Sequence, residues 1–145
     1  MNAQVNRRTL LIVIALVALA PSLAWSAEYQ VIVNSANPTD ILTRDQLAKI
    51  FLKKIAKWDT GTPIVPVDQA SVSPVRIAFT KIVHGKAVGA ISSYWQQQIF
   101  AGREVPPAEK AGDAAVIVFV KANPGAIGYI TPGVSADGVK LLSIR

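Results

Sequence analysis

Runs of β-branched residues alternate with segments of helical periodicity along most of the 145-residue chain. The strand-like runs are YQVIVN at 29–34, IVPV at 64–67, AIGYI at 126–130 and VKLLSI at 139–144. Apolar spacing and end signals predict helices at about 44–53, 74–83, 87–100 and 113–121. Strands that alternate with helices predict an α/β sandwich with a sheet that is at least partly parallel or mixed.

Three of the predicted helices begin at recognisable capping residues. Thr43 with Gln three residues later has the form of a capping box. Ser73 is a good cap before Pro74, which suits a first helical position because its missing N–H is not needed there. Asp113 is predicted to cap the last helix, and residues 68–72 are expected to form a loop.

The N-terminal segment has the pattern of a secretory signal. Arg7 and Arg8 precede the apolar run LLIVIALVALA at 10–20, which is too short to span a bilayer. We expect a signal peptide over 1–26, cleaved near Ser26 or Ala27, and one domain over 27–145. The alternative is that this segment is not cleaved and anchors the domain to the membrane in the same orientation. Since the chain has no cysteine, a disulfide and a lipid-modified cysteine are excluded, and a periplasmic protein that is not a lipoprotein is predicted.

The charge of the predicted domain is mildly positive. Without Arg7 and Arg8, 13 basic and 9 acidic residues remain, a net charge of +4. This excess is compatible with an anionic ligand, although solubility alone also explains it. No basic tract interleaves with aromatic residues, so nucleic acid is not an expected partner.

The sequence lacks the usual signatures of catalysis. His84 is the only histidine, and its position at a predicted helix end favours a solvated residue over a catalytic base. The carboxylates are scattered, and no nucleophile or phosphate-loop motif occurs. We therefore expect a protein that is not an enzyme, with no metal and no cofactor.

Two smaller patterns concern packing. Tyr94, Trp95 and Phe100 are expected to form the apolar edge of a helix that packs on the domain. Gly125 is expected to form a turn, and Gly128 to allow close packing of a strand.

The start of the 74–83 helix is the candidate binding site. A helix N-terminus offers free backbone N–H groups and partial positive charge to an anion. Ser71 and Ser73 could add hydroxyl donors, and Arg76 could add a guanidinium. The alternative is that Ser73 is only a cap and Arg76 extends into solvent.

Three motifs in order resemble one family. LTRDQLAKIFLKKIAKWDTGTPIVPVD, SPVRIAF and PGAIGYI are similar to the second lobe of phosphate-type substrate-binding proteins of ABC transporters, in the periplasmic-binding-protein superfamily. The resemblance covers nearly all of the chain after residue 27. It implies one lobe of a type II periplasmic-binding-protein-like fold, with a mixed sheet flanked by helices.

The resemblance also implies where an oxyanion would bind. The family loop R-S-D-G-S-G-T, laid on residues 69–75, matches its second serine to Ser73 and places its arginine on Gln69. Its aspartate falls on Ser71. Its last two residues fall on Pro74, which has no N–H, and on Val75, which has no hydroxyl. Arg76 could replace the arginine, and Asp68 could accept a proton from phosphate.

The leading hypothesis is a secreted single-lobe binding protein for phosphate or a similar oxyanion, with site residues Asp68, Gln69, Ser71, Ser73 and Arg76. It would serve ABC-type uptake or sensing, with the membrane subunits of a transporter or an envelope sensor as partners. Because one lobe presents half a cleft, a homodimer or a partner could complete the site. The alternative is a protein-interaction module of the envelope that has kept the fold and lost the ligand.

Overall fold

A computed structural model describes residues 28–145, and the expected signal peptide lies outside this part. The helices are α1 (Arg44–Phe51), α2 (Pro74–His84), α3 (Val88–Phe100) and α4 (Asp113–Ala122). The strands are β1 (Gln30–Asn34), β2 (Ile41–Leu42), β3 (Val65–Gln69), β4 (Ala108–Lys110), β5 (Ala126–Ile130) and β6 (Val139–Ile144). The short strands β2 and β4 were not predicted. The other elements lie within a few residues of the predicted segments.

The six strands of the described part form one sheet in the order β2-β6-β1-β5-β3-β4. Strand β1 pairs antiparallel with β5 and β6. The pairs β2 with β6, β3 with β4 and β3 with β5 are parallel. A mixed sheet flanked by helices confirms the predicted α/β class.

Alternate residues of the central strands face opposite sides of the sheet. In β5, Ile127 and Tyr129 join the core under α1 and α2, whereas Ala126 and Ile130 join the core under α4. The buried residues from α1 and α2 in the first core are Leu47, Ile50, Phe51, Val75, Phe79 and Val83. The second core is closed by Val116 and Val120 of α4.

Gly128 allows α4 to pack close to the sheet. A Cβ atom at this position would lie 2.7 Å from Val116 Cγ1 and 2.8 Å from Val67 Cγ1, closer than carbon atoms pack. The expectation of close strand packing at this glycine is confirmed.

Strand β3 is longer than predicted. Asp68 and Gln69 were expected to begin a loop, but they pair with Glu109 and Lys110 of β4 and are strand residues. The prediction was wrong because the partner strand is three residues long and has no alternating pattern. This extension brings two polar side chains into the buried end of the sheet.

The predicted helix starts differ in their capping. The capping box of α1 is confirmed, with the Gln46 N–H donating to Thr43 Oγ1 and the Thr43 N–H donating to Gln46 Oε1. Ser73 stands at the N-cap of α2, but its side chain makes no capping bond. Asp113 is not the cap of α4: the N-cap is Gly112, and Asp113 is the first helical residue.

Helix α3 packs on α2 and presents its far end to solvent. Ile91 and Trp95 are buried, but Phe100 is 96 % exposed. The expectation that Phe100 packs with Tyr94 and Trp95 was therefore wrong. Among the helices of residues 28–145, none has the length and apolar character needed to cross a bilayer.

Candidate functional site

The predicted site lies where the parallel strands end. Since β3 is parallel to both β4 and β5, the carboxyl ends of these strands meet at one edge of the sheet. Asp68 and Gln69 are the last residues of β3, and α2 begins at Pro74 after a short turn. In open α/β sheets, this edge is where ligands usually bind.

Arg76 and Asp68 form a buried ion pair at this edge. Arg76 Nη1 lies 3.1 Å from Asp68 Oδ1, and the two residues are 4 % and 6 % exposed. The same nitrogen donates to the Gln69 carbonyl oxygen at 2.8 Å. Arg76 is therefore neither a solvated residue nor a free guanidinium, and the expectation that it could extend into solvent was wrong.

Tyr129 of β5 completes this pair from the neighbouring strand. Its hydroxyl donates to Asp68 Oδ1 at 2.6 Å and accepts from the Gln69 N–H at 3.2 Å. Its ring stacks on Phe79 with a centroid distance of 3.9 Å. Burial and the adjacent Asp68 carboxylate raise the pKa of Tyr129 far above its usual value, so the hydroxyl stays a donor at any physiological pH.

Burial raises the pKa of Asp68 to about 6. The charge of Arg76 and the hydrogen bond from Tyr129 oppose this shift, and the nearby charge of Glu109 adds to it. The protonated form of Asp68 is therefore accessible at mildly acidic pH, and the ionised form that pairs with Arg76 predominates above about pH 6.

Gln69 links four elements of the fold. Its Nε2 donates to Asp113 Oδ1 at 2.7 Å and to the Tyr129 carbonyl at 3.1 Å, and its Oε1 accepts from Ser73 Oγ at 3.1 Å. Asp113 Oδ1 also accepts from the N–H of Thr131. This explains why Asp113 does not cap α4, since its carboxylate joins α4 to β3 and to the end of β5.

Backbone donors at the start of α2 complete the geometry. The N–H of Ile77 donates to the Ser73 carbonyl, as in any helix. The N–H groups of Val75 and Arg76, two and one residues earlier, have no acceptor within α2, and Pro74 has no N–H. Two backbone donors therefore lie beside the buried ion pair, and the Ser73 hydroxyl next to them donates to Gln69 Oε1.

The structure brings four of the predicted residues together and leaves one apart. Asp68, Gln69 and Arg76 form a buried network that Ser73 joins, whereas Ser71 is exposed and lies outside it. Three residues of the site were not predicted from the sequence: Tyr129, Asp113 and Glu109. The Oε1 atom of Glu109 lies 3.6 Å from Arg76 Nη1. Only the position of Tyr129, on the face of β5 that includes Ile127, could have been read from the strand alternation.

The charge of Arg76 is balanced within the chain. Two carboxylates, Asp68 and Glu109, flank its guanidinium, and Asp113 adds a third acidic group nearby through Gln69. Within residues 28–145, no group of three His, Asp or Glu residues is placed to hold a metal ion. The arrangement is therefore a neutralised cation beside helix donors.

His84 differs from its predicted environment. It is half-buried at the end of α2, with its ring 6.0 Å from that of Phe79. Burial and the charge of Arg76 lower the pKa of His84 to about 4, so the imidazole is neutral at physiological pH. The expectation of a solvated helix-end residue was wrong, because the ring lies over the aromatic core.

The sequence profile of the PBP superfamily domain, where PBP stands for periplasmic binding protein, matches residues 19–138. The chain belongs to the PBP superfamily. No curated protein sequence matches it. The family assignment confirms the predicted resemblance, and the solved structures below agree with it.

Several solved structures share the fold of this PBP domain. One is an ABC-type phosphate transport receptor from Vibrio cholerae, with 24 % identity and a TM-score of 0.64. A second is a protein from Clostridium perfringens, assigned as a phosphate ABC transporter substrate-binding protein and solved with bound phosphate, with 27 % identity and a TM-score of 0.63. A third is PstS from Borrelia burgdorferi, with 19 % identity and a TM-score of 0.56. Each match covers 81 % of the present chain and 46 %, 46 % and 47 % of the respective relative, so the PBP domain spans less than half of these proteins.

Proposed function

We propose that this PBP-superfamily chain is a non-catalytic binding protein for phosphate or a similar small oxyanion, in ABC-type uptake or sensing. Residues 1–26 would be the signal peptide, removed near Ser26 or Ala27, and residues 27–145 would be the periplasmic domain, without a lipid anchor. The proposal is supported by the family match and by the phosphate-bound relative from Clostridium perfringens.

One observation carries the choice of site. The free N–H groups of Val75 and Arg76 lie at the N-terminus of an 11-residue helix, next to the Ser73 hydroxyl, which would turn from Gln69 Oε1 to a bound anion. A buried guanidinium lies within the same turn. Helix N-termini bind phosphate through this combination of oriented N–H donors and partial positive charge.

The balanced charge of Arg76 limits what one lobe can do alone. Because Asp68 and Glu109 already flank the guanidinium, a dianion at this edge would meet no net positive charge from these side chains. A second subunit or a membrane partner would therefore supply the opposite wall of the cleft and the missing cation. This fits a chain that spans less than half the length of these relatives.

The test is calorimetric titration of the purified protein with inorganic phosphate and, in parallel, with sulfate. Ser73→Ala removes one hydroxyl donor from the site, and Ser92→Ala removes a matched exposed hydroxyl on α3, which bonds only to the Val88 carbonyl. We expect saturable phosphate binding that weakens about tenfold in Ser73→Ala, since a hydrogen bond to a charged group contributes about 1.5–3 kcal/mol. Ser92→Ala should bind as the unmodified protein does.

A second candidate function is a protein-interaction module of the envelope that has no small-molecule ligand. It is favoured by the same ion pair, because a guanidinium satisfied by Asp68 and by the Gln69 carbonyl needs no external anion. Absence of saturable heat at millimolar phosphate and sulfate would refute the oxyanion proposal and favour this candidate.

A further inference from the structure

Helix α3 presents an unusual surface to solvent. At 100° per residue, Gly89, Ser93, Gln96, Gln97 and Phe100 fall on the side opposite the buried Ile91 and Trp95. These five residues are called the α3 stripe. All five are exposed, and Phe100 is 96 % exposed at one end.

The α3 stripe carries no charge. Helix α3 contains no Asp, Glu, Lys or Arg, whereas each of the other helices within residues 28–145 contains at least two charged residues. The solvent face of a surface helix normally carries charged residues. Depletion of charge around an aromatic residue is instead typical of the centre of a protein interface.

The geometry of the α3 stripe points to a second copy of this chain as its partner. Gly89 and Phe100 are 11 residues apart, about 16 Å along the helix. In an antiparallel pair of α3 helices, each Phe100 ring would lie over the other copy's Gly89, where no atom of its own chain lies within 4 Å of a built Cβ. We propose that two copies associate through the α3 stripe in this antiparallel arrangement.

The chemistry at the centre of the α3 stripe suits this two-fold pairing. A glutamine amide is both a donor and an acceptor, so Gln96 and Gln97 can bond across the axis to the polar groups of an identical surface. The part of the chain from residue 28 carries a net charge of +4, and an uncharged surface allows two such copies to approach with little local repulsion. An acidic or basic partner would gain no ion pair on this surface.

The area of the α3 stripe limits the expected affinity of the dimer. A Phe side chain buries about 150–250 Å², and with Ser93 and the glutamines both copies together would bury on the order of 1,000 Å². This is at the low end for a specific complex, so we expect a dimer that forms at high micromolar concentration.

The experiment is sedimentation equilibrium over a range of concentrations, on protein purified after expression of the full-length chain. Phe100→Ala removes the ring, and Gly89→Lys fills its receiving position and adds a charge. The Gly89 substitution has open space in the single chain and favours a helix, so it should not lower the thermal midpoint. Val118→Ala, at a 66 % exposed apolar residue of α4, is the matched control.

We expect reversible dimers in the unmodified protein and in Val118→Ala, and at least tenfold weaker association in Phe100→Ala and in Gly89→Lys. A protein that stays monomeric at millimolar concentration would overturn the proposal. Dimers that persist unchanged in Gly89→Lys, or that weaken equally in Val118→Ala, would also overturn it, because association would then use another surface. The outcome does not depend on phosphate binding, since the α3 stripe and the start of α2 share no residue.

Discussion

The buried pair of Arg76 and Asp68 predicts a specific pH dependence of stability. Asp68 has a pKa raised to about 6 in the folded protein, against an ordinary value of 3.8. The folded state therefore holds a proton more tightly than the unfolded state does, and Asp68 makes the protein less stable as the pH rises from about 4 to about 6. About one unit above that pKa this contribution becomes constant, because Asp68 is then ionised in both states.

Replacement of Arg76 by Met raises the pH above which the contribution of Asp68 to stability is constant. Arg76 is the main group that opposes the effect of burial on Asp68, so its removal raises the pKa of Asp68 further. The variant should then continue to lose stability above pH 6, at about 1.4 kcal/mol per pH unit, until the new pKa is reached. By pH 8 the additional loss is about 2–3 kcal/mol, just below the roughly 3–5 kcal/mol expected for the whole effect when one partner of a buried pair is removed.

The measurement is urea unfolding between pH 6.5 and 8, followed by the fluorescence of the buried Trp58 and Trp95. His84 is neutral in the folded protein over this range, and its titration in the unfolded state near the usual pKa of 6.5 adds the same slope to both proteins. In an Asp68→Asn background the additional loss caused by Arg76→Met should be independent of pH. If the stability curves of the unmodified protein and of Arg76→Met run parallel over this range, the assigned coupling of the two side chains is wrong.

Two further predictions concern the backbone. Gly128→Ala should lower the free energy of unfolding by about 1–3 kcal/mol, because its Cβ would overlap Val116 Cγ1 and Val67 Cγ1. Thermal unfolding measures this loss. A second substitution, Val116→Ala, in the same chain should restore part of it. An equal loss in the single and double variants would contradict this packing. Lys53 has a φ angle of 55°, the only positive φ at a residue other than glycine within 28–145. Lys53→Gly should therefore be about 1 kcal/mol more stable than Lys53→Ala and unfold at a higher temperature. Both variants lose the contact with Glu104, and only glycine relieves the left-handed backbone. Equal midpoints would show that the backbone at this position carries no strain.

The local signals of the sequence located most of the fold. β-Branched runs marked β1, β5 and β6, and the capping box marked the start of α1, because these features depend on neighbours in the chain. Strands β2 and β4 are too short to show a period, and they form because longer strands offer them free edges. Their existence depends on tertiary pairing that a single sequence does not display.

The candidate site could be predicted only in part, for a related reason. Asp68, Gln69, Ser73 and Arg76 are close in sequence, so a motif at one helix start could gather them. Tyr129, which fixes Asp68, is 61 residues away, and no local pattern links the two. The sequence therefore predicted which residues are near the edge of the sheet, but not that Arg76 would be neutralised there.

The place of β1 in the sheet has a consequence for how the protein is made. Strand β1 is the first element of the described chain, yet its neighbours on both sides are β5 and β6, which end at Ile144. The centre of the sheet therefore cannot close until the chain has been synthesised as far as Ile144, and loop closure over about a hundred residues makes this step slow. A nascent chain that ends before Ala126 would lack both partners of β1. Synthesis of β5 and β6, rather than the growth of the helices, is thus the event that permits the sheet to close.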